Sequence, residues 1–156
     1  MDEISNFIDF LLDAKMHTYA ANTIKSTNSL LPGSTQFEYS DGLFMYRDIY
    51  FGSAYFVGQE TVYAGEKPYW SMCYAGGVHK HVTGEARIKE IYSFLRNSML
   101  RIDKSHVFRG PDEMVERSYK YRNSSTGDIY EFNGNEAIWK NSQPVYSLRY
   151  SGGMIR

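Results

Sequence analysis

Gly58-Gln59-Glu60-Thr61-Val62-Tyr63 and Gly134-Asn135-Glu136-Ala137-Ile138-Trp139 are two versions of one phrase. A second phrase follows each at the same interval. It reads Pro68-Tyr69-Trp70-Ser71-Met72-Cys73-Tyr74-Ala75-Gly76-Gly77-Val78 the first time and Pro144-Val145-Tyr146-Ser147-Leu148-Arg149-Tyr150-Ser151-Gly152-Gly153-Met154 the second. The offset is 76 residues throughout, from Gly58 to Gly134 and from Gly77 to Gly153. Gly58, Glu60, Pro68, Ser71, Tyr74, Gly76 and Gly77 are identical to their mates. Tyr46-Arg47 aligns with Tyr121-Arg122 one residue out of step, which makes Asn123 the mate of Asp48. An ungapped match of this length predicts an internal duplication within one domain, with repeat one at about 1–78 and repeat two at about 79–156.

Each repeat opens on a helical stripe. Ile4, Phe7, Ile8 and Leu11 recur at i, i+3, i+4 and i+7, as do Ile88, Ile91, Tyr92 and Leu95. Thr83 is the expected N-cap of the second helix, and the first should stop near Met16, before a long Ser/Thr/Asn/Gly/Pro-rich loop from Asn22 to Thr35. Strands are expected at about 36–40, 43–51, 54–63 and 67–75, then at about 114–123, 128–139 and 143–150. Ser40-Asp41-Gly42, Gly52-Ser53, Ala64-Gly65-Glu66, Ser124 to Gly127 and Asn141-Ser142 supply the turns between them. Turns this short make neighbouring strands antiparallel. The fold class is therefore α+β: helices packed on one curved antiparallel sheet, cystatin-like or a half-barrel. One fused sheet is preferred over two facing sheets.

Alternation along the strands sorts the side chains. Trp70, Met72 and Tyr74, with Tyr146, Leu148 and Tyr150, form a core-facing aromatic row, and Ser71, Cys73, Ser147 and Arg149 face outward. Phe56, Gly58, Glu60 and Val62 share a face, and so do Phe132, Gly134, Glu136 and Ile138. A carboxylate thus recurs inside an apolar row. Buried charge is costly unless paired, so Arg47 is expected on Glu60 and Arg122 on Glu136. Two other readings stay open. A bulge at Gly58 or Gly134 would turn the glutamate outward, or the pair would only set strand register. If the pairs line a cavity instead, Tyr46, Tyr50, Tyr55, Tyr63, Trp70 and Tyr74 would surround them, with Tyr46, Trp70 and Tyr74 as its expected walls.

Composition bounds the rest. The 156 residues are 42% apolar and 22% charged, which excludes a disordered or fibrous chain. The 14 Tyr and 9 Phe favour β-structure. One cysteine excludes an internal disulfide and a Cys-cluster metal site, and Cys73 reads as a small packing residue. The start, Met1-Asp2-Glu3-Ile4-Ser5, is not that of a secretory signal, and no apolar run approaches a membrane span, so the cytoplasm is the expected compartment and no membrane is an expected partner. Net charge is −5 over residues 1–78 and +4 over 79–156. Arg87, Lys89, Arg96, Arg101 and Lys104 make the second helix basic, a face read as solvated or paired with acids rather than as a nucleic-acid site. His79-Lys80-His81 could place two imidazoles on one face, but no carboxylate or Cys at a recognisable spacing completes a zinc set, and no metal or cofactor is expected. Nucleophile motifs and phosphate-binding glycine loops are absent from the sequence.

Tyr46-Arg47-Asp48-Ile49-Tyr50-Phe51-Gly52, Phe56-Val57-Gly58-Gln59-Glu60 and Trp70-Ser71-Met72-Cys73-Tyr74-Ala75-Gly76 resemble a bacterial and archaeal family of unknown function. Phe10-Leu11-Leu12-Asp13-Ala14-Lys15, Thr18-Tyr19-Ala20, Phe108-Arg109-Gly110-Pro111 and the final Tyr150-Ser151-Gly152-Gly153 extend the resemblance over nearly the whole chain. Members of that family look like stand-alone domains or the C-terminal part of helix-turn-helix regulators. The resemblance implies a sensor or accessory domain and carries no activity. No N-terminal helix-turn-helix is read in these residues, so the chain is not expected to be such a regulator itself.

Three readings follow. The first is a non-catalytic domain binding a small ligand through Glu60, Glu136, Arg47 and Arg122, walled by Tyr46, Trp70 and Tyr74. The second is a hydrolase or isomerase using Glu60 and Glu136 as acid and base, with Asp48 able to join them. The third is an interaction module, a homodimer joined through a sheet edge or the Ser row.

Overall fold

A computed structural model describes residues 3–20 and 28–156. The first apolar stripe folds as α1 (Glu3–Ala20), a turn longer than its sequence pattern predicts. Thr18 closes that last turn by donating to the Ala14 and Lys15 carbonyls at 3.0 and 3.1 Å. The expected loop from Asn22 to Thr35 lies partly outside the described residues. Four strands follow: β1 (Thr35–Asp41), β2 (Phe44–Gly52), β3 (Tyr55–Ala64) and β4 (Lys67–Val78). Then come α2 (Glu85–Met99) and a second set, β5 (Glu113–Glu116), β6 (Tyr119–Gly127), β7 (Glu131–Lys140) and β8 (Gln143–Met154).

Two local expectations are corrected. The single strand expected over 114–123 is two strands, β5 and the start of β6, folded back at Arg117, which takes a left-handed φ of 54° without being glycine. No Gly, Asn or Asp marks that turn in the sequence, so composition could not reveal it. The N-cap of α2 is Gly84, at φ 95°, rather than Thr83, and no side chain caps the helix.

All eight strands form one open antiparallel sheet in the order β1-β2-β3-β4-β8-β7-β6-β5. The two meanders are fused through β4 and β8, which pair from Trp70 opposite Met154 to Val78 opposite Tyr146. Register repeats across the seam. Asp48 lies opposite Glu60 and Asn123 opposite Glu136. Gly58 lies opposite Tyr74 and Gly134 opposite Tyr150. The bulges also correspond, at Val62/Tyr63 and Ile138/Trp139. They fall beyond the glutamates, so neither Gly58 nor Gly134 turns its carboxylate outward.

Both helices cover the same face, because only that face carries a continuous apolar row. Phe7 and Phe10 of α1 pack on Phe44, Tyr69 and Trp70, and Phe94 and Tyr92 of α2 pack on Tyr119 and Tyr146. The aromatic row is buried as its parity requires. Among the described residues no helix covers the opposite face, although the segment with Leu30 and Leu31 lies against part of it. Cys73 is exposed on that face, so it is not a packing residue. Among the described residues no helix is long and apolar enough to cross a membrane.

Two glycines carry the geometry of that face. A Cβ at Gly58 would overlap the Tyr74 phenol and the Tyr50 Cβ, and one at Gly134 would overlap the Tyr150 phenol and the Ser124 carbonyl. Each glycine lets its cross-strand tyrosine lie flat over the sheet. Gly58→Ala and Gly134→Ala should each lower the unfolding free energy by about 1–3 kcal/mol, the usual cost of overpacking, as measured by urea denaturation.

Candidate functional site

Both repeated carboxylates are fully buried, but their cations come from outside the sheet. Glu60 Oε2 meets the Lys15 ammonium of α1 at 2.8 Å, and Lys15 also donates to the Phe108 carbonyl at 2.5 Å. Glu136 takes Arg109, from the segment between α2 and β5, through two bonds: Nη2 to Oε1 at 2.7 Å and Nε to Oε2 at 3.3 Å. The tyrosines Tyr121 and Tyr146 donate to the same carboxylate at 2.6 and 2.8 Å. The carrier segment is itself held in place. Phe108 stacks on Phe132 at 3.7 Å between centroids, and Gly110 N donates to the Tyr121 hydroxyl.

The expected pairs are therefore corrected. Arg47 lies opposite Thr61, one residue out of phase with Glu60, so it points to the face away from the helices and pairs with Glu38 at 2.7 Å. Arg122 lies opposite Ala137 and reaches Glu113 at 3.3 Å, largely in solvent. The sequence pointed to the buried acids and not to their partners. Alternation constrains residues within the sheet, whereas Lys15 and Arg109 arrive from a helix and a loop whose docking no local pattern encodes.

The halves differ in how well the acid is satisfied. Tyr46 and Trp70 hold the places of Tyr121 and Tyr146, and both are fully buried. Neither the Tyr46 hydroxyl nor the Trp70 indole N–H has a hydrogen-bond partner among the described residues. Tyr19 approaches Glu60 Oε1 at 3.4 Å. Burial drives the Lys15 pKa down against the pull of Glu60.

Beside this under-satisfied acid opens a cavity of about 690 Å3 between the sheet, the end of α1 and α2. Asp48 stands in its wall, 8% exposed. The Tyr74 hydroxyl, aimed by the flat ring over Gly58, donates to Asp48 Oδ1 at 2.5 Å. The mate Asn123 is instead used up structurally, accepting from Tyr150 at 2.8 Å and donating to the Gly110 carbonyl at 3.0 Å. Of the residues expected to surround a ligand, Tyr74 lines this cavity, while Tyr46, Trp70, Glu60 and Glu136 are sealed beneath and Arg47 and Arg122 lie on the far side. Tyr50, also expected there, lines it too, whereas Tyr55 is exposed and Tyr63 lies with Arg47 on the far side. Tyr19, Phe37, Phe56, Tyr92 and Arg109 complete the lining, and the sequence assigns none of these five to a cavity wall. The Asp48/Asn123 difference between otherwise matched strands was the available signal.

Other sequence features find plain partners. Lys89 pairs with Glu85 and Lys104 with Asp9. His79 meets Ser147 at 3.0 Å and His81 edge to face. Among the described residues no group of three or more His, Cys, Asp or Glu could hold a metal ion.

A family model described as a domain of unknown function, DUF5680, matches residues 48–155. The chain belongs to this family. The DUF5680 match starts at Asp48 and takes in Glu60, Arg109 and Glu136, while α1, with Lys15 and Tyr19, precedes it. No curated protein and no solved structure matches the chain.

Burial and the charge of Glu60 push the Asp48 pKa up to about 7, against the lowering effects of Tyr74, Arg109 and Lys15. An unfolded aspartate titrates near pH ~4. The folded state thus holds more protons across that interval, and stability should fall as pH rises from about 4 to about 7, by up to about 4 kcal/mol. Asp48→Asn should remove this slope and raise Tm at pH ~8, as read by calorimetry against the parent protein. The ion pairs give a second expectation. Glu136→Gln and Arg109→Met should each cost about 3–5 kcal/mol, the penalty for leaving a buried partner unpaired. The double variant should lose less than the two together, because the residues form one network.

Proposed function

We propose that this DUF5680 domain binds a small organic ligand in the cavity on its helix-covered face, as a cytoplasmic sensor or accessory module. One observation carries the reading: Asp48, a buried carboxyl, lines an aromatic-walled cavity and has one hydrogen bond, from Tyr74, among the described residues. A cavity of about 690 Å3 lies within the usual range for small-molecule sites, and few polar groups converging in apolar walls are their usual make-up. The mirrored strand order and matching registers support descent of both halves from one duplicated unit. On that reading the second half kept the fully satisfied arrangement around Glu136, and the first gave it up beside the cavity.

A second reading is favoured by a separate observation. A carboxyl with a pKa of about 7 is poised to give and take protons at neutral pH. In that reading Asp48 is the acid–base group, in place of Glu60 and Glu136, which are sealed beneath the cavity.

Native mass spectrometry of protein purified without added ligand tests the binding proposal. A mass excess that disappears on denaturation is the expected result. A ligand present at about 100 times its Kd should then add about 2.7 kcal/mol to stability. A clean apo mass, together with no thermal shift across a library of small organic molecules, would count against it.

A further inference from the structure

The buried charges on the helix-covered face do not balance. Lys15, Asp48, Glu60, Arg109 and Glu136 are all buried there. Lys15 is committed to Glu60 at 2.8 Å and Arg109 to Glu136 at 2.7 Å. Asp48 is the acid left over, with a phenol as its one hydrogen-bond donor among the described residues. It is also the buried acid that reaches the cavity. Around it stand Phe37, Tyr50, Phe56, Tyr74 and Tyr92.

A lone carboxylate within aromatic walls is the chemistry that holds an organic cation. The carboxylate supplies the counter-charge, and the ring faces attract the cation through their quadrupoles. We propose that the cavity takes an amine as its ammonium ion, with an apolar or aromatic body against the rings and Asp48 as counter-ion. This rests on the ligand-binding reading above. An anionic ligand suits the site less well. Arg109, the guanidinium beside Asp48, gives its Nε–Nη2 edge to Glu136 and lies over the Tyr74 ring at 5.7 Å. Arg96, at the α2 wall, has interactions of its own. The charges facing Asp48 are Glu60, Arg109 and Lys15, two of them cations held by partners, so an added ammonium completes a third pair.

The test uses three probes of one shape and different charge: tryptamine, 3-propylindole and indole-3-propionate. Binding is followed by titration calorimetry and by the amide NMR signals of Phe56, Tyr74 and Tyr92. Tryptamine should bind best of the three, and Asp48→Asn should weaken it by at least about thirtyfold. Asparagine stands naturally at the mate position 123 under the corresponding tyrosine, so this variant is expected to fold. In the parent protein, tryptamine should move the Asp48 carboxyl carbon titration to lower pH. Equal binding of 3-propylindole, tighter binding of indole-3-propionate, or tryptamine binding that survives Asp48→Asn would overturn the ammonium assignment and leave a ligand cavity standing. No perturbation by any of the three at millimolar concentration would overturn both.

Discussion

A carboxylate on the apolar face of a sheet cannot be neutralised by its own strand neighbours when those neighbours are aromatic. The charge has to be met by something laid over the sheet. Glu60 and Glu136 impose this constraint at equivalent positions in the two meanders, and much of the helix-covered face follows from it. Lys15 ties α1 to β3, and Arg109 ties the segment after α2 to β7. Lys15 also holds the Phe108 carbonyl, so the two cation carriers are joined to each other next to the seam. Such pairs are poor sources of net stability against a hydrophobic equivalent. What they supply here is position. The helix and the segment dock where a charge waits for them.

The two halves meet the same constraint with different completeness. Around Glu136 a guanidinium and two phenols occupy both carboxylate oxygens. Around Glu60 a single ammonium and a distant phenol do so, and Trp70, whose buried indole N–H has no hydrogen-bond partner among the described residues, stands in the place of the second tyrosine. Beside the weaker shell the neighbouring position is an aspartate rather than an asparagine. Two acids then face each other across β2 and β3, and only one has a cation. The cavity lies on that side of the seam. A polar arrangement that is complete in one half serves as an internal reference for what the other half lacks.

Much of the sheet was legible in the residues because its rules are local and periodic. The repeat, the alternation of Trp70, Met72 and Tyr74 and the short turns led to antiparallel strands with the glutamates inward. The seam between β4 and β8 was a preference rather than a derivation, since no pattern states which strand a terminal strand will join. The Arg117 turn leaves no mark in the sequence because a non-glycine residue holds the left-handed conformation there. Arg47 and Arg122 look like the acids' partners because they stand on the neighbouring strands, yet one residue of phase puts them on the opposite face. Lys15 sits in an ordinary helical stripe and reads as surface until the helix is docked.

The seam also bears on how the chain reaches this structure. Hairpins such as β2–β3 and β7–β8 close over turns of a few residues, whereas β4 and β8 join positions as far apart as Val78 and Tyr146 at the nearer end. Loop-closure entropy grows with the logarithm of separation, so this contact costs roughly 2 to 3 kcal/mol more to initiate than a hairpin. Each meander is therefore assembled locally, and the zippering of β4 onto β8 is the non-local event that governs the folding rate. Until it happens, each meander ends in a twelve-residue strand with one open edge, ready for another chain, and the interval before closure is when the protein is most open to aggregation or exchange between copies.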